Sequence, residues 1–241
     1  MTLRPEAVGP NEVAGRQAPP DALPERPASS GADPKRWWSR PWVVPLWVTV
    51  VYYLYYQMNP ILSVSPDQAP VSPHPGFAAY YPLLIVHMTG GTIAMLTACL
   101  QVWPWLRQQH PKVHRISGRF YVFAGTIPGF LAGMCIVWFA PPSGKLGVLF
   151  SVTGWLVTTV VGYVAVRRRN YALHRRFMLY SFAFVMNNIW GVAFSILWGW
   201  FNITLDFTYL AEAARWVGWT VDLMLVQWWI ERTARPRPKL A

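Results

Sequence analysis

The sequence predicts an all-α membrane protein with six transmembrane helices, in which spans two to five form a four-helix core and spans one and six flank it. Two observations predict this class. Of the 241 residues, 54% are hydrophobic and only 13% are charged, whereas a typical soluble domain is about 25% charged. The apolar residues also fall in six long runs, and a helix needs about 20 such residues to cross a bilayer core. Together these features exclude a soluble globular protein.

Each run is interpreted as a helix because backbone N–H and C=O groups in lipid must be hydrogen-bonded within their own segment. The sixth run is the shortest and contains Asp222. The six predicted spans are, in order, Pro41 to Val64, Ala79 to Trp105, Arg119 to Ala140, Leu146 to Val166, Phe177 to Trp200 and Trp216 to Ile230.

The positions of the cations predict the orientation of these spans, since Lys and Arg near span ends are retained on the cytoplasmic side. All but two of the 21 Lys and Arg residues lie before span one, between spans two and three, between spans four and five, or after span six. The two others, Lys145 and Arg215, lie in the loops of the opposite side. We therefore predict an inner-membrane protein with both termini in the cytoplasm.

The formal net charge of +11 is explained by the same arrangement. A nucleic-acid-binding protein would collect its Lys and Arg on one folded face, whereas here they alternate with apolar runs. We expect the lipid bilayer, and in particular anionic lipids of the inner leaflet, to be the partners of these cations, and no nucleic acid. A second copy of the chain and a redox protein are further candidate partners.

The chain is predicted to contain one folded domain between two tails. Residues 1–36 are rich in Pro, Ala and Glu and lack apolar periodicity, which is typical of a disordered cytoplasmic segment. A signal peptide would place its apolar core within roughly the first 15 to 30 residues, so span one, which begins after Arg40, is expected to be an uncleaved anchor. Residues 37–232 form the transmembrane domain, and residues 233–241 form a basic cytoplasmic tail.

A His-Arg pair occurs in both basic loops and predicts an internal repeat. His114 and Arg115 precede span three, and His174 and Arg175 precede span five. Spans two and four enter the membrane from the same side, so the repeat is parallel. Some transporters contain such repeats, but other helical bundles do as well.

Small residues at a spacing of four predict which spans touch. Span two contains Gly90, Ala94 and Ala98, and span three contains a matching row. Small side chains let helices approach closely in lipid, so spans two and three are expected to contact along these rows. Pro128 is expected to kink span three. The row in span three is Gly125, Gly129 and Gly133, and a similar row in span five is Asn187, Gly191, Ser195 and Gly199.

The repeated histidines are the first candidate site. A pseudo-twofold axis would place His114 and His174 on opposite sides of one point at the cytoplasmic face, as two axial ligands of a haem b require. Arg115, Arg119 and Arg175 would then be available to pair with the haem propionates. Alternatively, these residues bind lipid phosphate and serve only the positive-inside bias.

The second candidate site lies in the outer half of the membrane. His87 and Asp222 are both about 10 Å below the outer surface, at 1.5 Å per residue, so a contact between them is expected. Ionisable groups in spans are expensive and are usually functional. The pair is interpreted either as a ligand or proton-relay site or as a structural hydrogen bond between spans two and six. Asn187 is interpreted as a polar contact between helices.

Several motifs of the sequence belong together. They are His87, Gln101, Arg107, the box of His114, Arg115, Gly118, Arg119 and Tyr121, then Trp155, Thr158, His174, Arg175, Phe177 and Met178. With these motifs the chain resembles a family of bacterial predicted membrane proteins, the domain of unknown function 2306. The resemblance covers roughly residues 80 to 195 and implies only the membrane fold and location, because the family has no agreed activity. In helix count the chain is also similar to four-helix cytochromes b, although a two-haem core uses four span histidines and this chain offers three.

Three functional hypotheses follow from these residues. The first is a haem b or quinone-linked electron-transfer protein that uses His114 and His174, with His87 as a separate outer site. The second is a small transporter in which His87, Asp222 and Asn187 line a pathway. The third is a non-catalytic assembly subunit. The sequence contains no hydrolase, metalloprotease or nucleotide-binding motif, and it does not decide whether the protein is an enzyme.

Overall fold

A computed structural model describes residues 40–62, 74, 76–140, 142–204 and 206–233, with the side chains of all of these except Leu62 and Phe207. The predicted N-terminal tail, residues 1–36, lies outside the described residues, and so does the predicted C-terminal tail, residues 233–241, except for Thr233, which ends the last helix. Within the described ranges the chain is helical, and its only β-type pairing is an isolated bridge between His74 and Phe77. The all-α class is therefore confirmed.

Nine α-helices follow one another along the described chain. A π-helical segment, Phe120–Thr126, and a 3-10 turn, Val137–Phe139, occur on either side of the fifth. The α-helices are α1 Val43–Leu62, α2 Tyr80–Val102, α3 Pro104–Gln109, α4 Pro111–Arg119, α5 Ile127–Ile136, α6 Lys145–Arg167, α7 Tyr171–Met186, α8 Asn188–Trp200 and α9 Phe207–Thr233.

Four helical stretches of the described chain are long and apolar enough to cross a membrane. They are Tyr80–Val102, Pro111–Phe139, Lys145–Arg167 and Tyr171–Trp200, which correspond to the predicted spans two to five. Helices α1 and α9 are as long, but the tyrosines of α1 and the charged residues of α9 leave them outside this set. The predicted count of six spans is not confirmed.

Two span boundaries differ from the prediction. Span three begins at Pro111 rather than Arg119, and span five begins at Tyr171 rather than Phe177. Proline suits the first helical turn because its fixed φ matches the helix and its missing N–H needs no partner there. As a result His114 and His174 are not loop residues. Each is the fourth residue of its helix.

The four core spans form a closed ring of neighbours. Helix α2 packs on the π-helical segment and α5, these pack on α6, α6 packs on α7, and α7 packs on α2. Spans three and five therefore stand at opposite corners of the core. Helix α9 packs on α6, α7 and α8, and α1 packs on α2 and α8.

Spans two and three touch along their small residues, as predicted. A Cβ placed on Gly90 would lie 2.9 Å from the backbone of Gly125 and of Gly129, and one on Gly125 would lie 3.0 Å from Ala94. Only glycine allows this approach of two backbones. The row in span five differs, because Gly191 and Gly199 have no neighbouring atom within 4 Å of a Cβ position.

The π-helical segment ends directly before the proline of span three. Pro128 is the second residue of α5 and cannot donate a backbone hydrogen bond to the preceding turn. Within the π-helical segment, the hydroxyl of Thr126 donates to the carbonyl of Tyr121 over 3.0 Å. Irregular hydrogen bonding therefore occurs in span three where the sequence predicts a kink.

The ends of α2, α6 and α9 and the beginnings of α4 and α7 lie together, and we refer to this region as the basic end. Gln101 at the end of α2 donates to the carbonyl of His114 over 2.8 Å, and Arg175 donates to the hydroxyl of Thr233 over 2.9 Å. The opposite end contains Arg215, which donates to the carbonyl of Ser143, two residues before Lys145. The two cations predicted to share one side of the membrane do lie at one end of the bundle.

Candidate functional site

A closed ring of hydrogen bonds lies in the centre of the core. Trp155 Nε1 donates to the Tyr121 hydroxyl over 3.0 Å, and the hydroxyl of Thr159 donates to the Trp155 carbonyl over 2.7 Å. Because the only hydroxyl proton of Thr159 takes part in this bond, the Ser181 hydroxyl donates to Thr159 over 2.6 Å, and the Tyr121 hydroxyl donates to Ser181. Every member of this ring is less than 10% exposed, and the ring joins spans three, four and five.

The same ring fixes the register of the two basic-end histidines. His114 lies seven residues before Tyr121 on span three, and His174 lies seven residues before Ser181 on span five. Seven residues are almost two full helical turns, or about 10 Å. His114 therefore points from span three in nearly the same direction as Tyr121, and His174 points from span five in nearly the same direction as Ser181. The two imidazoles therefore lie at nearly the same depth on helices at opposite corners of the core, and they lie within electrostatic range of each other.

The two imidazoles differ in their hydrogen bonds. His174 Nδ1 lies 2.9 Å from the carbonyl of Gly162 on α6 and donates its proton to this oxygen, which leaves Nε2 as the nitrogen with a lone pair. His114 Nδ1 is buried and has no hydrogen-bond partner among the described residues. A buried polar atom without a partner is unfavourable, and a bound ligand would remove this cost.

Arginines surround these histidines. Arg107 follows span two and lies within electrostatic range of both His114 and Arg175. Burial, with the nearby charge of Arg175, lowers the pKa of the Arg107 guanidinium. Arg115 and Arg119 are exposed at this end of span three. The cluster holds facing positive charges and, within the described residues, no salt bridge to an acidic side chain, so it is suited to an anionic group.

Gln101, Ser117 and Gly118 fix the position of helix α4 rather than that of a ligand. Gln101 Nε2 donates to the His114 carbonyl and also to Ser117 Oγ over 2.7 Å. A Cβ on Gly118 would lie 3.3 Å from the Gln101 side chain. The glycine of the box thus makes room for the amide that ties α2 to α4.

The expected contact between His87 and Asp222 is not formed. His87 Nδ1 lies 2.7 Å from the Gly129 carbonyl of span three, beside Gly133. Asp222 accepts a hydrogen bond from Trp190 over 3.0 Å, and its second oxygen has no partner. Helix α2 turns His87 towards α5, whereas α9, which carries Asp222, packs on α6, α7 and α8. His87 has the position of a structural histidine.

Asn187 is the third member of the predicted outer site. Its amide Nδ2 donates to Ser151 on α6 over 3.3 Å, as expected for a contact between helices. Its Oδ1 atom is buried without a partner and lies against Gly218 of α9. Among the described residues, no group of three or more His, Cys, Asp or Glu could hold a metal ion.

The comparison with protein families gives a match over residues 84–230, more than half of the chain, to the domain of unknown function 2306, which is described as a predicted membrane protein. The chain belongs to this family. The match extends past the resemblance noted in the sequence, through α9. No curated protein and no solved structure matches the chain.

The structure locates the motif residues of this family within the core. The box supplies one of the facing histidines and the central Tyr121, and the His-Arg pair supplies the other histidine. Sequence reasoning missed Arg107 as part of the site, although the motif contains it. It also missed Thr159 and Ser181, since a small hydroxyl residue in an apolar span gives no signal of its own.

Proposed function

We propose that the protein is an electron-transfer protein that binds haem b at the basic end, with His114 and His174 as the two axial ligands. The single observation that supports this is the equal register of the two imidazoles. His114 lies seven residues before Tyr121 and His174 lies seven residues before Ser181, and the Tyr121 and Ser181 hydroxyls are hydrogen-bonded to each other. The two histidines are on helices at opposite corners of the core. Cross-bundle histidine pairs hold haem in this manner in four-helix proteins.

The residues present fit such a group. His174 is oriented by the Gly162 carbonyl, in the way that ligating histidines are commonly fixed through their other nitrogen. The buried His114 Nδ1 lacks a partner, and Arg107 and Arg175 provide positive charge for two propionates. When bound, haem b would supply one-electron oxidation and reduction.

The chain's own residues would set the environment of that electron carrier. The hydrogen-bonded ring of Tyr121, Trp155, Thr159 and Ser181 closes the core on the membrane side and leaves no free hydroxyl proton. The arginines stabilise added negative charge at the basic end, and therefore favour the reduced state. His87 takes no part, because its ring is held against span three.

A groove of about 570 Å³ on the side of α6, α7 and α9 supports a membrane quinone as the redox partner. Phe184 and Trp228 supply apolar walls, and Tyr180 and Gln227 supply polar groups at one end. The Tyr180 hydroxyl donates to Gln227 over 2.5 Å. A flat ring with carbonyl groups matches this combination of surfaces.

The absorption spectrum of protein purified from haem-supplied cells tests the proposal. We expect a Soret band and, after reduction by dithionite, separate α and β bands, and we expect an added quinol to reduce the protein as well. His114→Ala and His174→Ala should each abolish these bands, since one missing axial ligand leaves the iron weakly held.

Two other histidines provide matched controls. His110 lies near the site but is exposed and packs edge-on against Trp105, and His87 lies in the same core, so His110→Ala and His87→Ala should keep the spectrum. External imidazole should restore the bands in His174→Gly. A colourless wild-type protein, monodisperse and helical by circular dichroism, would contradict the proposal.

A further inference from the structure

Span five changes its hydrogen bonding near its middle. Helix α7 ends at Met186 and α8 begins at Asn188, and Asn187 between them keeps helical dihedral angles and a bond from its N–H to the Ala183 carbonyl. The N–H of Trp190 donates to the Asn187 carbonyl, three residues before it. This irregular turn lies beside α9, because Gly218 of that helix contacts the Asn187 side chain and Trp190.

Two acceptor oxygens at this irregular turn are buried and have no hydrogen-bond partner among the described residues. One is Asn187 Oδ1 and the other is Asp222 Oδ2. Trp190 connects their positions: its ring lies 3.1 Å from the Cβ position of Gly218, which the Asn187 oxygen also contacts, and its Nε1 donates to Asp222 Oδ1 over 3.0 Å. Gly218 and Asp222 are one turn apart on the same face of α9. Both unpaired oxygens therefore border this one turn of α9.

An acceptor cannot satisfy another acceptor. An unpaired polar group is unfavourable in the hydrocarbon, and an ionised carboxylate at this depth is more unfavourable still. One hydrogen atom placed between the two oxygens would remove both penalties. Two of the donors nearby are used, because Asn187 Nδ2 is bonded to Ser151 and Trp190 Nε1 is bonded to Asp222. The buried Nε1 of Trp219 has no partner among the described residues, and its ring stacks on Phe184 of α7.

We propose that Asp222 and Asn187 form a proton-binding site between spans five and six. Asp222 holds a proton on Oδ2 at neutral pH and donates it to Asn187 Oδ1, while Oδ1 of Asp222 accepts from Trp190. The neutral carboxyl group closes the contact of α8 with α9. Release of the proton places a negative charge against the amide oxygen and opens this contact.

The charges on the neighbouring helices leave Asp222 without a counterion. On α6 the titratable groups are Lys145, Tyr163 and Arg167, which lie at the two ends or outside this level. Those of α7 all precede Ser181, α8 contains none, and α1, which packs on α8, contributes only tyrosines. On α9 itself, Glu212 and Arg215 lie towards the beginning and Glu231 and Arg232 lie at the other end.

The infrared spectrum of the full chain in lipid nanodiscs tests this proton directly. We expect a carbonyl stretch of a protonated carboxyl group at neutral pH, which moves to lower frequency in D₂O. Asp222→Asn should remove the band completely. The substituted amide has nearly the same shape and can donate to Asn187, so this variant should fold.

Two further variants make the test specific. Asn187→Leu should move the band to higher frequency, because the carboxyl group then has no acceptor. Asp206→Asn should leave it unchanged, since hydrogen bonds from Thr208 lower the pKa of that exposed carboxyl group and keep it ionised. Absence of the band in wild-type protein, or its persistence in Asp222→Asn, would overturn the proposal. The haem proposal uses other residues, and a colourless protein leaves this result unaffected.

Discussion

At the scale of single residues, the Tyr121 hydroxyl is the hydrogen-bonding group on which the centre of the core depends. It accepts from Trp155 and donates to Ser181, and the residue is 1% exposed. Tyr121→Phe should lower the free energy of unfolding by about 1 to 2 kcal/mol, because the Trp155 N–H is left buried without a partner. Thermal unfolding in detergent, followed by circular dichroism, measures the change.

Tyr163 is the matched control for this prediction. It lies on α6, is half-buried, and its ring packs edge-on against Phe123 at 5.3 Å. Within the described residues its hydroxyl makes no hydrogen bond, so Tyr163→Phe should change the unfolding free energy by less than about 0.5 kcal/mol. Equal stability of the two variants would mean that the ring of hydrogen bonds contributes nothing.

Some of the site could be predicted residue by residue and some could not. The pairing of His114 with His174 follows from the repeated motif, since equal motifs at the start of two parallel spans place equal residues at one depth. The prediction that His87 contacts Asp222 was wrong, because depth alone does not say on which side of a helix a side chain lies. That side depends on how α2 and α9 pack.

At the scale of helices, the contact of spans two and three depends on the absence of a side chain at Gly90. A Cβ there would be 2.9 Å from backbone atoms of Gly125 and Gly129, and backbone cannot move aside as a side chain can. Gly90→Ala should therefore destabilise the protein by about 1 to 3 kcal/mol, measured as a lower melting temperature.

Gly91 is the adjacent residue and provides the matched control, because the same Gly→Ala substitution can be made there. A Cβ there has no atom within 4 Å, and alanine favours a helix over glycine by up to about 1 kcal/mol. Gly91→Ala should thus keep or raise the melting temperature. A similar loss in both variants would show that helix propensity, and not the close approach, determines the result.

The sequence predicted the helices of spans two to five, but it did not predict where their regular hydrogen bonding changes. The apolar runs give spans two to five because lipid requires internally bonded backbone. The π-helical segment and the irregular turn at Asn187 depend on which neighbouring groups accept or donate hydrogen bonds. Thr126 bonds to the Tyr121 carbonyl, and Asn187 bonds to Ser151. Neither contact is visible in a linear pattern of apolar residues.

At the scale of the whole molecule, we propose that the basic end faces the cytoplasm. Accessible cysteines test this in a background of Cys99→Ala and Cys135→Ala. Arg168→Cys lies at the basic end and Phe201→Cys at the opposite end, and both positions are exposed. A thiol reagent that cannot cross membranes should label Phe201→Cys in intact cells and Arg168→Cys only after the membrane is opened.

Tags on the two termini complete this test. With six spans, both tags should be protected from protease in intact cells, since an even number of crossings returns the chain to its starting side. Labelling of Arg168→Cys in intact cells would reverse the orientation. A single protected tag would mean that α1 or α9 does not cross.

The sequence by itself determined that this is a helical membrane protein, where four of its spans lie, which end is basic, and to which family it belongs. These properties depend on composition and on distance along the chain, because the bilayer acts on each segment separately. The tertiary structure decided which polar groups are neighbours: the four-membered hydrogen-bonded ring, the charge of Arg107 beside His114, and the unpaired oxygens of Asn187 and Asp222 beside one turn of α9. Such contacts depend on the rotation of each helix about its axis, which is fixed only when neighbouring helices pack.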